Sequence, residues 1–106
     1  MKTIMVVDDE ISVLKQVKSC LEEDDFEVIT VDNSRKALEL IEGEREESFG
    51  LILIDTLMPN SKEPAFFSIK PNSKKNIDTS KEENFLQKPF TKEQLLNFVK
   101  KSLMIP

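Results

Sequence analysis

Two rhythms of apolar residues alternate along the chain. Ile4-Met5-Val6-Val7 and Leu51-Ile52-Leu53-Ile54 are unbroken apolar runs. Unbroken runs mark strands covered on both faces, whereas a strand with one wet face would alternate. Phe26 to Val31 reads as a second strand, and Asn84-Phe85-Leu86-Gln87 as a short last one. Between them the spacing changes to that of a helix. Ile11, Leu14, Val17 and Leu21 share one face and stop at the acidic turn Glu22-Glu23-Asp24-Asp25. Asn33-Ser34 offers an N-cap for a helix carrying Ala37, Leu38 and Ile41, with Gly43 as its stop. Thr91 and Gln94 form a capping box that opens a final helix with Leu95, Phe98, Val99 and Leu103 on one side. Strands alternating with helices predict an α/β domain with a parallel sheet.

The stretch from Asn60 to Asn84 does not keep this rhythm. Ala65, Phe66, Phe67 and Ile69 suggest a short helix after Pro64. From Pro71 to Glu83 the only large apolar residue is Ile77, so the segment reads as a loop or a poor strand.

Polar residues gather where the strands end. Asp8-Asp9-Glu10 follows the first strand, Asp55 the third, and Lys88-Pro89 the last. In parallel α/β sheets, functional groups sit at the carboxyl ends of strands beside the point where strand order reverses. If the first and third strands are neighbours, the carboxylates converge. Each like-charged pair at 4 Å then costs about 4 kcal/mol at an effective dielectric near 20. A hard divalent cation with oxygen ligands offsets that cost, and Mg²⁺ suits a site with few carboxylates and several waters. Lys88 adds a point charge for phosphate oxygens. A carboxylate flanked by two cations is arranged for phosphoryl transfer, with Asp55 as the attacking group. Each element alone has a plainer meaning as a cap or solvated turn; their joint order is what carries the reading.

Composition narrows the chemistry further. The 106 residues suffice for one domain, 1–106, and contain no His, Trp or Tyr. Histidine-based nucleophile pairs and imidazole metal sites are therefore excluded. One cysteine, Cys20, excludes an intrachain disulfide and agrees with a reducing interior. The apolar N-terminal run is too short for a signal-peptide core or a membrane span, so a cytoplasmic protein without a membrane partner is expected. A net charge of −5 speaks against direct nucleic-acid binding.

The blocks Val6-Val7-Asp8-Asp9-Glu10, Ile54-Asp55 with Met58-Pro59, and Phe85-Leu86-Gln87-Lys88-Pro89-Phe90 resemble the signatures of response-regulator receiver domains. The resemblance covers about Lys2 to Asp55 and Phe85 to Leu103. It implies a doubly wound parallel sheet of flavodoxin-like order 2-1-3-4-5. It also implies transfer of a phosphoryl group from a histidine kinase to Asp55. By the same match Asp9 and Asp55 would ligate Mg²⁺, Asp8 would do so through water, and the backbone carbonyl of Leu57 would complete the set. Lys88 would contact the phosphoryl group, Thr79 or Ser80 would supply a strand-four hydroxyl, and Phe85 would be the switch aromatic. Thr79 and Ser80 read equally as loop residues, and Phe85 as core packing.

The chain departs from the family between its Asp and its Lys, where only 32 residues stand, Thr56 to Gln87. Asn76-Ile77-Asp78-Thr79-Ser80 is the one candidate for strand four, and Lys81 to Asn84 is too short for a helical crossover. Helix 4 is expected to be missing and strand 4 weak or rearranged. Loss of that helix should bare apolar surface on strand three or five, predicting a homodimer. The expected function is a stand-alone receiver that signals through a downstream protein target and has no output domain. The alternative is a degenerate receiver acting by phosphorylation-independent contact. A phosphohydrolase is disfavoured, because Leu57 stands where such enzymes carry a second Asp; the chain is not expected to be a turnover enzyme.

Overall fold

The computed structural model describes residues 3–43, 49–71 and 81–104. Five strands, β1 (Thr3–Val7), β2 (Glu27–Val31), β3 (Phe49–Leu57), β4 (Pro64–Ile69) and β5 (Phe85–Gln87), form one sheet ordered β2-β1-β3-β4-β5. Three helices accompany them among the described residues: α1 (Ile11–Glu23), α2 (Ser34–Gly43) and α3 (Lys92–Met104).

The parallel part follows from the sequence. Both neighbours of β1 run parallel to it, with Val7 level with Val31 on one side and Ile54 on the other. Side chains then alternate between the faces. Ile4, Val6, Leu51 and Leu53 meet Leu14, Val17 and Leu21 of α1 and Leu95 and Val99 of α3. Met5, Val7, Val31 and Ile52 meet Ala37 of α2 on the opposite face. Each large apolar side chain taken fully out of water contributes about 1.5–3 kcal/mol, so these two layers hold the sheet.

The helix ends behave as their residues require. The Asn33 side-chain oxygen accepts the Lys36 N–H at 2.9 Å, and the Asn33 carbonyl accepts the Ala37 N–H at 3.3 Å. At α3 the box is complete: Thr91 Oγ1 accepts from the Gln94 N–H at 3.1 Å, and Gln94 Oε1 accepts from the Thr91 N–H at 2.9 Å. After α1 the chain turns through Asp25 at φ 66°, a left-handed position that a short acidic side chain tolerates. Ion pairs Lys92–Glu23 and Lys100–Asp24, the latter at 3.0 Å, tie α3 to the end of α1. Ile11 and Leu38, placed on the helices' apolar faces by spacing, are 60% and 57% exposed. Ile11 is the first residue of α1, and Leu38 lies mid-helix in α2 beside Ala37, the residue of that helix that is buried.

The fourth strand corrects two expectations. The sheet order is the expected one, but β4 runs antiparallel to both β3 and β5, so the sheet is mixed. Its residues are Pro64–Ile69, the segment that suggested a short helix. Asn76–Ser80 lies outside the described residues. The physical reason is connection length. Only six residues, Met58 to Glu63, join β3 to β4, enough for a hairpin, whereas a parallel crossover takes a dozen or more. The turn is closed by the Met58 N–H donating to the Glu63 carbonyl at 2.8 Å, with Lys62 at φ 57°. Pro64 stands at the first strand position, where no ladder donor is missed. The run Ala65-Phe66-Phe67 is buried throughout, as a central strand should be.

Candidate functional site

The parallel register of β1 and β3 decides the site. Val7 is level with Ile54, so Asp8, just past the end of β1, and Asp55, still within β3, stand side by side. Ligand oxygens of Asp8, Asp9 and Asp55 all lie within 4.8 Å of one another. Asp8 is 3% exposed, and both of its carboxylate oxygens are used. Oδ1 accepts the Glu10 N–H at 2.9 Å and Oδ2 accepts the Lys88 ammonium at 2.5 Å. The same ammonium donates to Asp55 Oδ1 at 2.7 Å.

Lys88 reaches this position from the edge strand β5, which runs in the same direction as β1 and β3. β5 pairs with β4 alone, and the ladder is extended by the Lys88 N–H donating to the Pro64 carbonyl at 2.9 Å. The Lys88–Pro89 peptide is cis. Burial by itself would lower the lysine's pKa, but the hydrogen bonds and charges of Asp55 and Asp8 outweigh it. The ammonium is thus held above the usual lysine value and stays charged. Three carboxylates and one ammonium leave a formal charge of −2, which is what one divalent cation neutralises.

The fourth expected donor also fits. Hydrogen-bonded and open pairs alternate along an antiparallel ladder. Met58–Glu63 is a bonded pair, and the Pro64 carbonyl points at β5, so Leu57, opposite Pro64, turns its peptide groups away from β4. That is the side on which β1 lies. The donor set is all oxygen, as Mg²⁺ prefers. A cleft of about 610 Å³ opens over these groups. Its apolar wall consists of Val13, Leu57, Pro64, Pro89 and Phe90.

The sequence therefore brought Asp8, Asp9, Asp55, Leu57 and Lys88 to one place. Thr79 and Ser80 fall outside the described residues. Because β4 is reversed, its carboxyl end at Ile69 lies level with Ile52 rather than beside Asp55. Phe85 opens β5 half-buried, on the face away from Lys88, with its ring 4.9 Å from that of Phe67. Two site residues were not foreseen. Thr56 lines the cleft next to Asp55, and Phe66 lies directly across the ladder from Asp55. Phe66 became findable only through the hairpin register, for which the six-residue spacing before Pro64 was the signal.

A carboxylate cluster and a bridging lysine meet at the carboxyl ends of β1, β3 and β5, where α/β sheets of this kind hold their ligands. The response regulator receiver domain model matches residues 4–69, well over half of the chain, and the chain belongs to that family. Receiver domains are phosphoacceptor modules of two-component signalling and in general not turnover enzymes. The matched stretch ends with β4, so it does not include Lys88, which the ion pairs with Asp8 and Asp55 place in the site. Searches among curated proteins and among solved structures returned no match.

Proposed function

We propose that Asp55 accepts a phosphoryl group from the phosphohistidine of a histidine kinase, in a Mg²⁺-dependent reaction, and that the product is read by a downstream protein target. One observation carries this reading: a single ammonium spans Asp8 and Asp55 at 2.5 and 2.7 Å, within a cluster of three converging carboxylates. Asp55, with its side chain 35% exposed, is accessible to a donor, while Asp8 at 1% is not.

In the transfer, an Asp55 oxygen bonds to phosphorus as the donor's nitrogen–phosphorus bond breaks. Lys88 moves no proton; it exchanges its Asp55 hydrogen bond for one to a phosphoryl oxygen and stabilises the charge there. Asp8 keeps the ammonium anchored from below. Asp8, Asp9, Asp55 and the Leu57 carbonyl would hold Mg²⁺, which when bound neutralises charge on the phosphoryl oxygens. A cytoplasmic setting goes with a kinase donor; no described helix is long and apolar enough to cross a membrane. Ile54, Ile69 and Phe85, half-buried on the α2 side, support a homodimer through that face.

A second reading, phosphorylation-independent partner contact, is favoured by the reversed β4, which brings Phe66 beside Asp55. Incubation with Mg²⁺ and acetyl phosphate separates the two. The first reading expects one added phosphoryl mass that Asp55→Asn abolishes; no mass gain at any Mg²⁺ concentration leaves the second.

A further inference from the structure

We propose that Phe66 is a positioning residue of the phosphoacceptor site, its ring face holding the Lys88 ammonium level with Asp55. This role rests on the phosphoacceptor reading of Asp55 and deepens it. It begins with the reversal of β4. Phe66 pairs with Asp55 on one side and with Leu86 on the other, two residues before Lys88. Alternation therefore puts Asp55, Phe66 and Lys88 on one face of the sheet. The Asp55–Phe66 pair falls between bonded pairs of the ladder, the kind in which facing side chains approach most closely.

The contact itself is explicit. The Lys88 Nζ lies 4.3 Å from the centroid of the Phe66 ring, inside the range for attraction between a cation and an aromatic face. The ring is fully buried and the lysine side chain only 15% exposed, so water competes little. Phe90 backs the ring at 6.0 Å and 49°, leaving it little freedom to swing away. Of the ammonium's three donors, two go to Asp8 and Asp55, and the ring closes a further side.

The arrangement has a consequence for transfer. When the Asp55 oxygen–phosphorus bond forms, Lys88 must leave the carboxylate for a phosphoryl oxygen while buried Asp8 pulls it inward. Attraction to the ring face opposes that inward pull and strengthens as the ammonium gives up its Asp55 hydrogen bond, so it favours the transition state over the resting contact. Phe66 thus stands where a hydroxyl-bearing strand would otherwise approach the site.

The test replaces Phe66 in the full chain with phenylalanines carrying one, two and three ring fluorines, which drain the ring's negative face at nearly constant shape. Phosphorylation of Asp55 by acetyl phosphate at saturating Mg²⁺ should slow stepwise, by about threefold to thirtyfold across the series, with a melting temperature lowered by only a few degrees because the resting contact weakens too. In the unmodified protein the Lys88 ε-methylene protons should resonate upfield of the other lysines, a ring-current shift that Phe66→Leu removes. A rate indifferent to fluorination, or unshifted ε-protons, overturns the positioning role. A wild-type chain that accepts no phosphoryl group overturns the phosphoacceptor reading and this role with it.

Discussion

At the scale of single residues, the site is a balance between three carboxylates and one lysine. Asp8 is the most committed member, because it is buried and has both oxygens bonded. Removing its partner strands a buried charge, which typically costs about 3–5 kcal/mol. Lys88→Met should therefore lower stability by that order in chemical denaturation, and added Mg²⁺ should restore part of the loss. Asp8→Asn in the same background should also restore part of it, since the stranded charge is gone. Asp8 and Asp55 were legible because each directly follows an unbroken apolar run, and Lys88 because it follows the short last strand. Phe66 was not legible in this way. An aromatic residue in an apolar stretch looks the same whether it fills a core or faces an ammonium, and only the register across β3 and β4 distinguishes the two.

Among the elements, the parallel half of the sheet and the helix caps follow from local signals. The Thr91–Gln94 box forms both of its bonds, so Thr91→Ala should cost about 1 kcal/mol, read from the thermal or denaturant midpoint. Leu53→Ala, in the layer between β3 and the two helices, should cost about 2–5 kcal/mol by the same measurement. β4 was the element the pattern misassigned. Ala65, Phe66, Phe67 and Ile69 fit a helix turn and a strand equally over so few residues. What decides is tertiary: β3 extends its ladder through Leu57, and six residues of turn return the chain along its edge. The family pattern of a parallel strand four pointed further along, to residues outside the described ones. Reversal leaves the carboxylate cluster intact because none of its members stands on β4, yet it changes what neighbours Asp55.

On the scale of the whole molecule, α1 and α3 cover one face and α2 the other. The half-buried Ile54, Ile69 and Phe85 lie on the α2 side, and a second copy is the proposed cover. Sedimentation equilibrium should give a dimer mass that falls toward monomer on dilution; a monomer mass at all concentrations contradicts this. Cation binding should also register globally. At ten times its Kd, Mg²⁺ should stabilise the fold by about 1.4 kcal/mol, a rise in Tm of roughly 5 °C or more for a domain of this size. The central claim concerns one atom pair, however, and has a direct chemical readout. After incubation with Mg²⁺ and acetyl phosphate, borohydride reduces an aspartyl phosphate to homoserine, and tandem mass spectrometry locates it. Homoserine at Asp55 is the predicted result. Its absence, or its appearance at Asp8 or Asp9 instead, would contradict the account.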